Sequence, residues 1–322
     1  MSKPAGTLVI APGALGDTVL RALALRQLFT HGVVTPPVTI VGTRAYLPVY
    51  RAFLPDPLLQ PYEDRLWSTL FLPSSQPPET LCEILRSTRL AIVWLPKDTA
   101  AAAKLRTCGV QDVRWADPSV AGQKEHQLLT LLRAAGFHPN DERAPPRPQG
   151  LLETVWRLRR ILVHPGAGSD RKRLPSSRYS QVSALLEDSG WKVTWLLGPV
   201  ELEDRNLVAQ ADRYETLRCQ QTDQLMEHLR SYPLVFGNDS GVEHLAAALG
   251  SVVLNVFVST KPDRWHPVGP LTVALDLTAG SPQVRAFQHL FEVEVEAALA
   301  GHFGELVTKI AVVVSGEGAV RL

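Results

Sequence analysis

Four short stretches of this 322-residue chain combine glycine, hydroxyl, acid and base at spacings that suit anion binding and proton transfer. The first is Pro12-Gly13-Ala14-Leu15-Gly16-Asp17. Gly13 and Gly16 let the backbone turn tightly and approach a ligand, and a helix start beyond them favours a negative group. No third glycine follows, so the run is not the GxGxxG dinucleotide fingerprint. Asp17 has two readings: the N-cap of the following helix, or a general base at the mouth of a ligand cleft. The second stretch runs from His164-Pro165-Gly166-Ala167-Gly168-Ser169 through Asp170 to Arg171-Lys172-Arg173-Leu174-Pro175. A run of cations is usually a solvated face. Here it stands beside small residues in a nearly neutral chain, and a diphosphate fits best, with Ser169 and Lys172 among its contacts.

In the third stretch, Leu197-Gly198-Pro199-Val200-Glu201, the acid reads from spacing alone as a helix start. Its other role is to accept the hydroxyls of a ribose. The fourth, Gly237-Asn238-Asp239-Ser240-Gly241-Val242-Glu243-His244, joins a strand end to a helix N-terminus and aims amides and a hydroxyl at one point. That is a diphosphate cradle. His244 either contacts phosphate or packs against the sheet. It has no second ligand with which to form a metal site.

The elements that position these loops alternate between short β-branched runs and helical segments, the pattern of a parallel sheet covered by helices. Strands are expected at Leu8–Ala11, Val38–Val41, Leu90–Leu95 and Val110–Trp115, with helices at Thr18–Leu28 and Gln127–Ala135. His138 to Gly150, with four prolines, reads as a linker. Beyond it come strands at Ile161–His164, Lys192–Leu197, Thr216–Cys219, Leu234–Gly237 and Val252–Val258. Helices are expected at Leu151–Arg160, Ser176–Asp188, Glu201–Ala211, Thr222–Arg230 and Val242–Leu249. The architecture therefore repeats: two α/β Rossmann-like domains, residues 1–145 and 146–322, facing each other across a cleft. Ligands in such sheets bind beyond the carboxyl ends of the strands. The tail from Glu305 to Leu322 reads equally as a strand or as a helix packing back on the first domain.

Composition excludes several function classes. Thirty-three Lys plus Arg against 32 Asp plus Glu leave a net charge of +1, which does not suit tracking along a nucleic acid. Cys82, Cys108 and Cys219 show no metal or disulfide spacing and read as three reduced thiols. No apolar run reaches the roughly 20 residues of a membrane span, and a cytoplasmic protein is expected.

With these loops in hand, the chain resembles the ADP-heptose–lipopolysaccharide heptosyltransferase family of glycosyltransferases. Gly13-Ala14-Leu15-Gly16-Asp17 is similar to its GxxGD loop, and His164-Pro165-Gly166-Ala167-Gly168 through Lys172-Arg173-Leu174-Pro175 to its HPGAG…KRWP segment. Gly237 to Ala248 is similar to GNDSGxxHLAAA, and Phe257 to Pro270 to its closing FGPTDPxRWxPxGP. The resemblance implies a GT-B fold, with the acceptor on the N-terminal domain and the nucleotide sugar on the C-terminal one. It implies an inverting, metal-independent transfer with no cofactor. Asp17 would be the base, with Gly13 and Gly16 in the acceptor or phosphate loop. Lys172, with Asp239, Ser240, Gly241 and His244, would hold the diphosphate, beside the Ser169 read from the loop itself, and Glu201 the ribose. The partners implied are ADP-heptose and a glycan or lipid-linked acceptor, which would bring the protein to the inner face of a membrane. Departures are Leu174 in place of Trp, Val258-Ser259 in place of Gly-Pro, and Ala11-Pro12 where an Arg often stands. Two other readings share these motifs: a nucleotide-sugar epimerase of the same fold, and a non-catalytic nucleotide binder.

Overall fold

The computed structural model describes residues 6–72, 76–117, 125–139, 148–279, 281–299 and 301–316. The chain divides into two compact units, Met1–Asp141 and Glu142–Leu322. The expected linker spans that division, and its residues 140–147 lie outside the described residues.

In the first unit β1 (Gly6–Ile10), β2 (Val38–Gly42), β3 (Leu58–Pro61), β4 (Thr88–Val93) and β5 (Asp112–Trp115) form a parallel sheet in the order β3-β2-β1-β4-β5. β1 is buried at every position, which is why Leu8-Val9-Ile10 reads as an apolar run rather than an alternation. Helix Leu15–Thr30 follows it and buries Val19, Leu20, Leu23, Ala24 and Leu28. β1 and β4 lie side by side while their connections leave toward opposite edges. The loop after β1 opens at that switch point.

The second unit repeats the order and extends it. β6 (Arg160–His164), β7 (Lys192–Leu197), β8 (Glu215–Arg218), β9 (Leu234–Asn238), β10 (Val252–Phe257), β11 (Leu271–Asp276), β12 (Gln283–Gln288) and β13 (Phe291–Val293) form one sheet, ordered β13-β12-β11-β10-β9-β6-β7-β8. β6 to β11 are parallel, whereas β12 and β13 run antiparallel at one edge. The switch point lies between β6 and β9, where His164 faces Gly237 in register.

Three expectations need correction. The segment Glu201–Ala211 is not one helix. A 3-10 turn, Glu201–Glu203, precedes helix Arg205–Ala211, because Asp204 caps the latter by accepting from the amides of Asn206 (3.0 Å) and Leu207 (3.1 Å). The tail forms helix His302–Ser315. It buries Phe303, Leu306, Val307, Ile310 and Val314 in the second unit's own core, and Arg178 of helix Ser176–Asp188 donates to the Val313 carbonyl at 3.0 Å. Residues 317–322 lie outside the described residues. Finally, Cys82 and Cys108 form a disulfide, with Cα atoms 4.4 Å apart, while Cys219 is free and buried. Cys82 lies in helix Glu79–Leu85, and Cys108 caps helix Thr99–Thr107. Cys108 lies in one core cluster and Cys82 packs against it, although 26 residues separate them.

Candidate active site

At the carboxyl ends of β6, β7 and β9 the second unit brings most of the expected residues together. Asn238, the last residue of β9 and fully buried, sets the frame. Its Nδ2 donates to the carbonyls of Pro165 (2.8 Å) and Gly166 (3.0 Å), and its Oδ1 accepts from the Leu174 amide (3.1 Å). Asn255 of β10 in turn donates to the Asn238 carbonyl. One side chain thus holds both ends of the basic loop.

Within this frame three buried acids each meet a base. Lys172 Nζ donates to Asp239 Oδ2 at 2.7 Å, Thr260 Oγ1 donates to the same oxygen at 2.6 Å, and His244 Nε2 stands 3.7 Å from Oδ1. Burial works to raise the Asp239 pKa, but His244 and Lys172 together hold it below the ordinary carboxylate value. Glu243, 0% exposed, binds His164 Nδ1 at 2.9 Å and accepts the Ser240 hydroxyl proton at 2.5 Å. Burial would lower the His164 pKa; the charge and hydrogen bond of Glu243, with the charge of Glu201, outweigh it and raise it. Glu201 accepts from the Gly198 amide at 3.0 Å, with Arg173 Nη2 3.8 Å from its other oxygen. A Cβ on Gly166 would collide with both Glu201 and His164, and one on Gly237 with Glu243. Glycine at these positions is what allows the acids to approach the strand ends.

Ser240 is the N-cap of helix Gly241–Ala248 and accepts from the Val242 amide at 3.3 Å. Its hydroxyl proton is committed to Glu243. The donors that this turn can offer an anion are therefore backbone amides at the start of that helix and the ammonium of Lys172. Lys172 also lies 5.9 Å from the Trp265 ring centroid, a cation–π distance. His244 is buried and its Nδ1 makes no hydrogen bond. Ser169 is exposed at the head of the short turn Asp170–Lys172 and makes no capping bond there.

Asp17, Gly13 and Gly16 belong to the first unit and form a separate constellation. The Gly13 amide donates to Thr43 Oγ1 at 2.9 Å, and that hydroxyl donates to the Gly13 carbonyl at 2.9 Å. Asp17 is not the N-cap. Ala14, extended at φ −71° and ψ 171°, holds that position, and Asp17 sits three residues on. Its carboxylate reaches back to the Ala14 amide at 3.3 Å, which is the reciprocal half of a capping box. Gly16 is the second residue of the helix.

The sequence reading did not assign roles to His164, Arg173, Asn238, Glu243 and Thr260. Glu243 carried a usable signal, since it stands at a helix start just ahead of the apolar run Leu245 to Leu249, and an acid buried there needs a partner. Among the described residues, no group of three His, Cys, Asp or Glu side chains converges as metal ligands would, and no helix is long and apolar enough to cross a membrane.

Residues 139–290 match the family model described as glycosyltransferase family 9 (heptosyltransferase). No curated protein matches the sequence. Among solved structures, the E. coli heptosyltransferase WaaC with ADP is 16% identical, with 84% of this chain and 92% of that chain covered at a TM-score of 0.60. A glycosyl transferase family 9 protein from Veillonella parvula is 15% identical, with coverages of 86% and 88% and a TM-score of 0.61. The E. coli ADP-heptose lps heptosyltransferase II is 17% identical, with coverages of 94% and 96% and a TM-score of 0.60. These likenesses assign the GT-B fold to the chain.

Proposed function

We propose that this glycosyltransferase, whose second unit carries a family 9 (heptosyltransferase) domain, moves a heptose from ADP-heptose to a hydroxyl of lipopolysaccharide core or a related lipid-linked glycan. The observation that carries the reading is the cluster of Lys172, Asp239 and His244 beside the Ser240-capped helix, at the strand ends where a nucleotide binds. One structural relative, the E. coli heptosyltransferase WaaC, is known both with ADP and with ADP-2-deoxy-2-fluoro heptose, which supports that donor.

In this reading residues 146–322 hold the donor and residues 1–145 the acceptor, at the inner face of a membrane. Transfer is a single inverting displacement. Asp17 accepts the proton of the acceptor hydroxyl while that oxygen forms its bond to the anomeric carbon. The bond from that carbon to the diphosphate oxygen breaks, and the leaving ADP gains charge. Lys172 and the amides of Ser240 and Gly241 stabilise that charge, aided by the helix N-terminus. Glu201 accepts from ribose hydroxyls, and Ser169 and His244 complete the diphosphate contacts. Lysine and amides do the work that a divalent ion does in other transferases, so chelator leaves the rate intact.

The test is to incubate the protein with a panel of nucleotide sugars, with and without heptose-deficient lipopolysaccharide core, in chelator, and to identify products by mass spectrometry. A heptosylated core with ADP released is the expected outcome. A donor isomer formed without acceptor would establish an epimerase instead. No consumption of any donor would establish a binder. Turnover that appears only with added magnesium or manganese would refute the metal-free mechanism.

A further inference from the structure

Arg21 is the second charged residue at the Asp17 loop. It follows Asp17 by four residues on helix Leu15–Thr30 and so shares its face. Unlike most arginines it is buried, with 4% exposure. Its guanidinium turns back toward the helix start. Nη1 donates to the Pro12 carbonyl at 2.6 Å and Nη2 donates to the Trp94 carbonyl at 3.2 Å. Pro12 lies in the loop after β1, and Trp94 immediately follows β4. The fork therefore ties together the ends of the two strands that flank the switch point. Lysine, a point charge with no planar fork, does not reproduce that geometry.

The same guanidinium lies under the loop glycine. A Cβ on Gly13 would stand 2.5 Å from Arg21 Nη1 and 3.2 Å from Asp17 Oδ2, so both groups converge over the Gly13 backbone. Among the described residues no carboxylate approaches the Arg21 guanidinium within ion-pair distance, 4.0 Å. A buried cation satisfied only by two carbonyls is costly, and a stable protein places it where its charge or its rigidity serves something.

We infer that Arg21 is a positioning residue for the Asp17 carboxylate, clamping the Pro12–Asp17 loop to the end of β4. This rests on Asp17 being the base proposed above. The donor cluster proposed above belongs to the other unit, so ADP affinity reports on that cluster separately.

Three variants and two measurements test it. Transfer from ADP-heptose to heptose-deficient lipopolysaccharide core is followed for Arg21→Met, Arg21→Lys and Asp17→Asn, with ADP affinity measured on each. Arg21→Met is expected to lower kcat on the order of 10²-fold, as a slight misplacement of a catalytic group does. The donor KM and ADP affinity stay within about twofold of wild type, and Arg21→Lys recovers part of the lost rate. Amide hydrogen exchange supplies a readout independent of turnover: Gly13 to Asp17 exchange faster in Arg21→Met while the second unit is unchanged. Wild-type turnover in Arg21→Met beside an inactive Asp17→Asn would overturn the inference and leave the base reading intact. An Asp17→Asn variant with wild-type turnover would overturn the base reading itself. Unchanged exchange at Gly13 to Asp17, or loss of ADP affinity in step with turnover, would overturn the inference as well.

Discussion

The buried pair of His164 and Glu243 makes a quantitative forecast. Glu243→Gln keeps the shape of the side chain but not its charge. The carboxylate accepts one bond from His164 at 2.9 Å and one from Ser240 at 2.5 Å. The amide accepts from a neutral His164 through its oxygen and must turn its NH2 toward Ser240. What is lost is one charge-assisted contact, worth about 1.5–3 kcal/mol. For a unit of the size of Glu142–Leu322, each kcal/mol moves the melting temperature by roughly 2–4 °C, so a fall of about 3–12 °C is expected. Glu243→Ala leaves both partners bare in a buried site and should cost about 3–5 kcal/mol. The pH dependence is the sharper test. The His164 pKa is raised in the fold, so its contribution to stability is complete below the ordinary value of about 6.5 and is lost as pH rises through the raised one. Urea unfolding from about pH 5.5 to about pH 9 should show that loss in wild type and its absence in Glu243→Gln. A Glu243→Gln protein that melts with wild type, or that keeps the same pH profile, would refute the ion pair.

Lys172→Ala should weaken ADP far more than adenosine, because the missing contact is to phosphate; calorimetry with both ligands decides it, and equal weakening would make the effect structural. Asp17→Asn should leave melting temperature and ADP affinity near wild type while turnover falls roughly 10²–10⁴-fold; a transfer assay with wild-type rate would remove Asp17 from the mechanism. Gly166→Ala places a methyl group against Glu201 and His164, so it should weaken both ADP and adenosine while the first unit stays folded. Wild-type adenosine affinity in that variant would separate Glu201 from the ribose.

The four loops were legible because each joins a strand end to a helix start, and glycine, hydroxyl and charge at such junctions have few other uses. Pairings across the fold were not legible. His164 and Glu243 are 79 residues apart, and nothing local to either names the other. Asn238 reads as one more polar residue of a turn until β6 and β9 are set side by side. The Cys82–Cys108 bond was hidden for the same reason, since their meeting depends on how two helices pack into one cluster. Asp17 was misplaced by three positions relative to the cap because Ala14, which has no side-chain acceptor, ends the extended segment. Edge strands such as β3, Leu-Leu-Gln-Pro, are short and half exposed, so neither an apolar run nor a clean alternation marks them.

The grip of Asn238 on both Gly166 and Leu174 bears on how this enzyme could be redesigned. The chain between those anchors leaves and returns through fixed points on the sheet. Its length and composition can therefore be exchanged without asking the strands to move. A library confined to residues 167–171, with Asn238 and Lys172 kept, would vary the charge and reach presented to the proposed sugar nucleotide on an unaltered chassis. The same library with Asn238 replaced would scatter the loop, and its members would differ in fold rather than in taste for a donor.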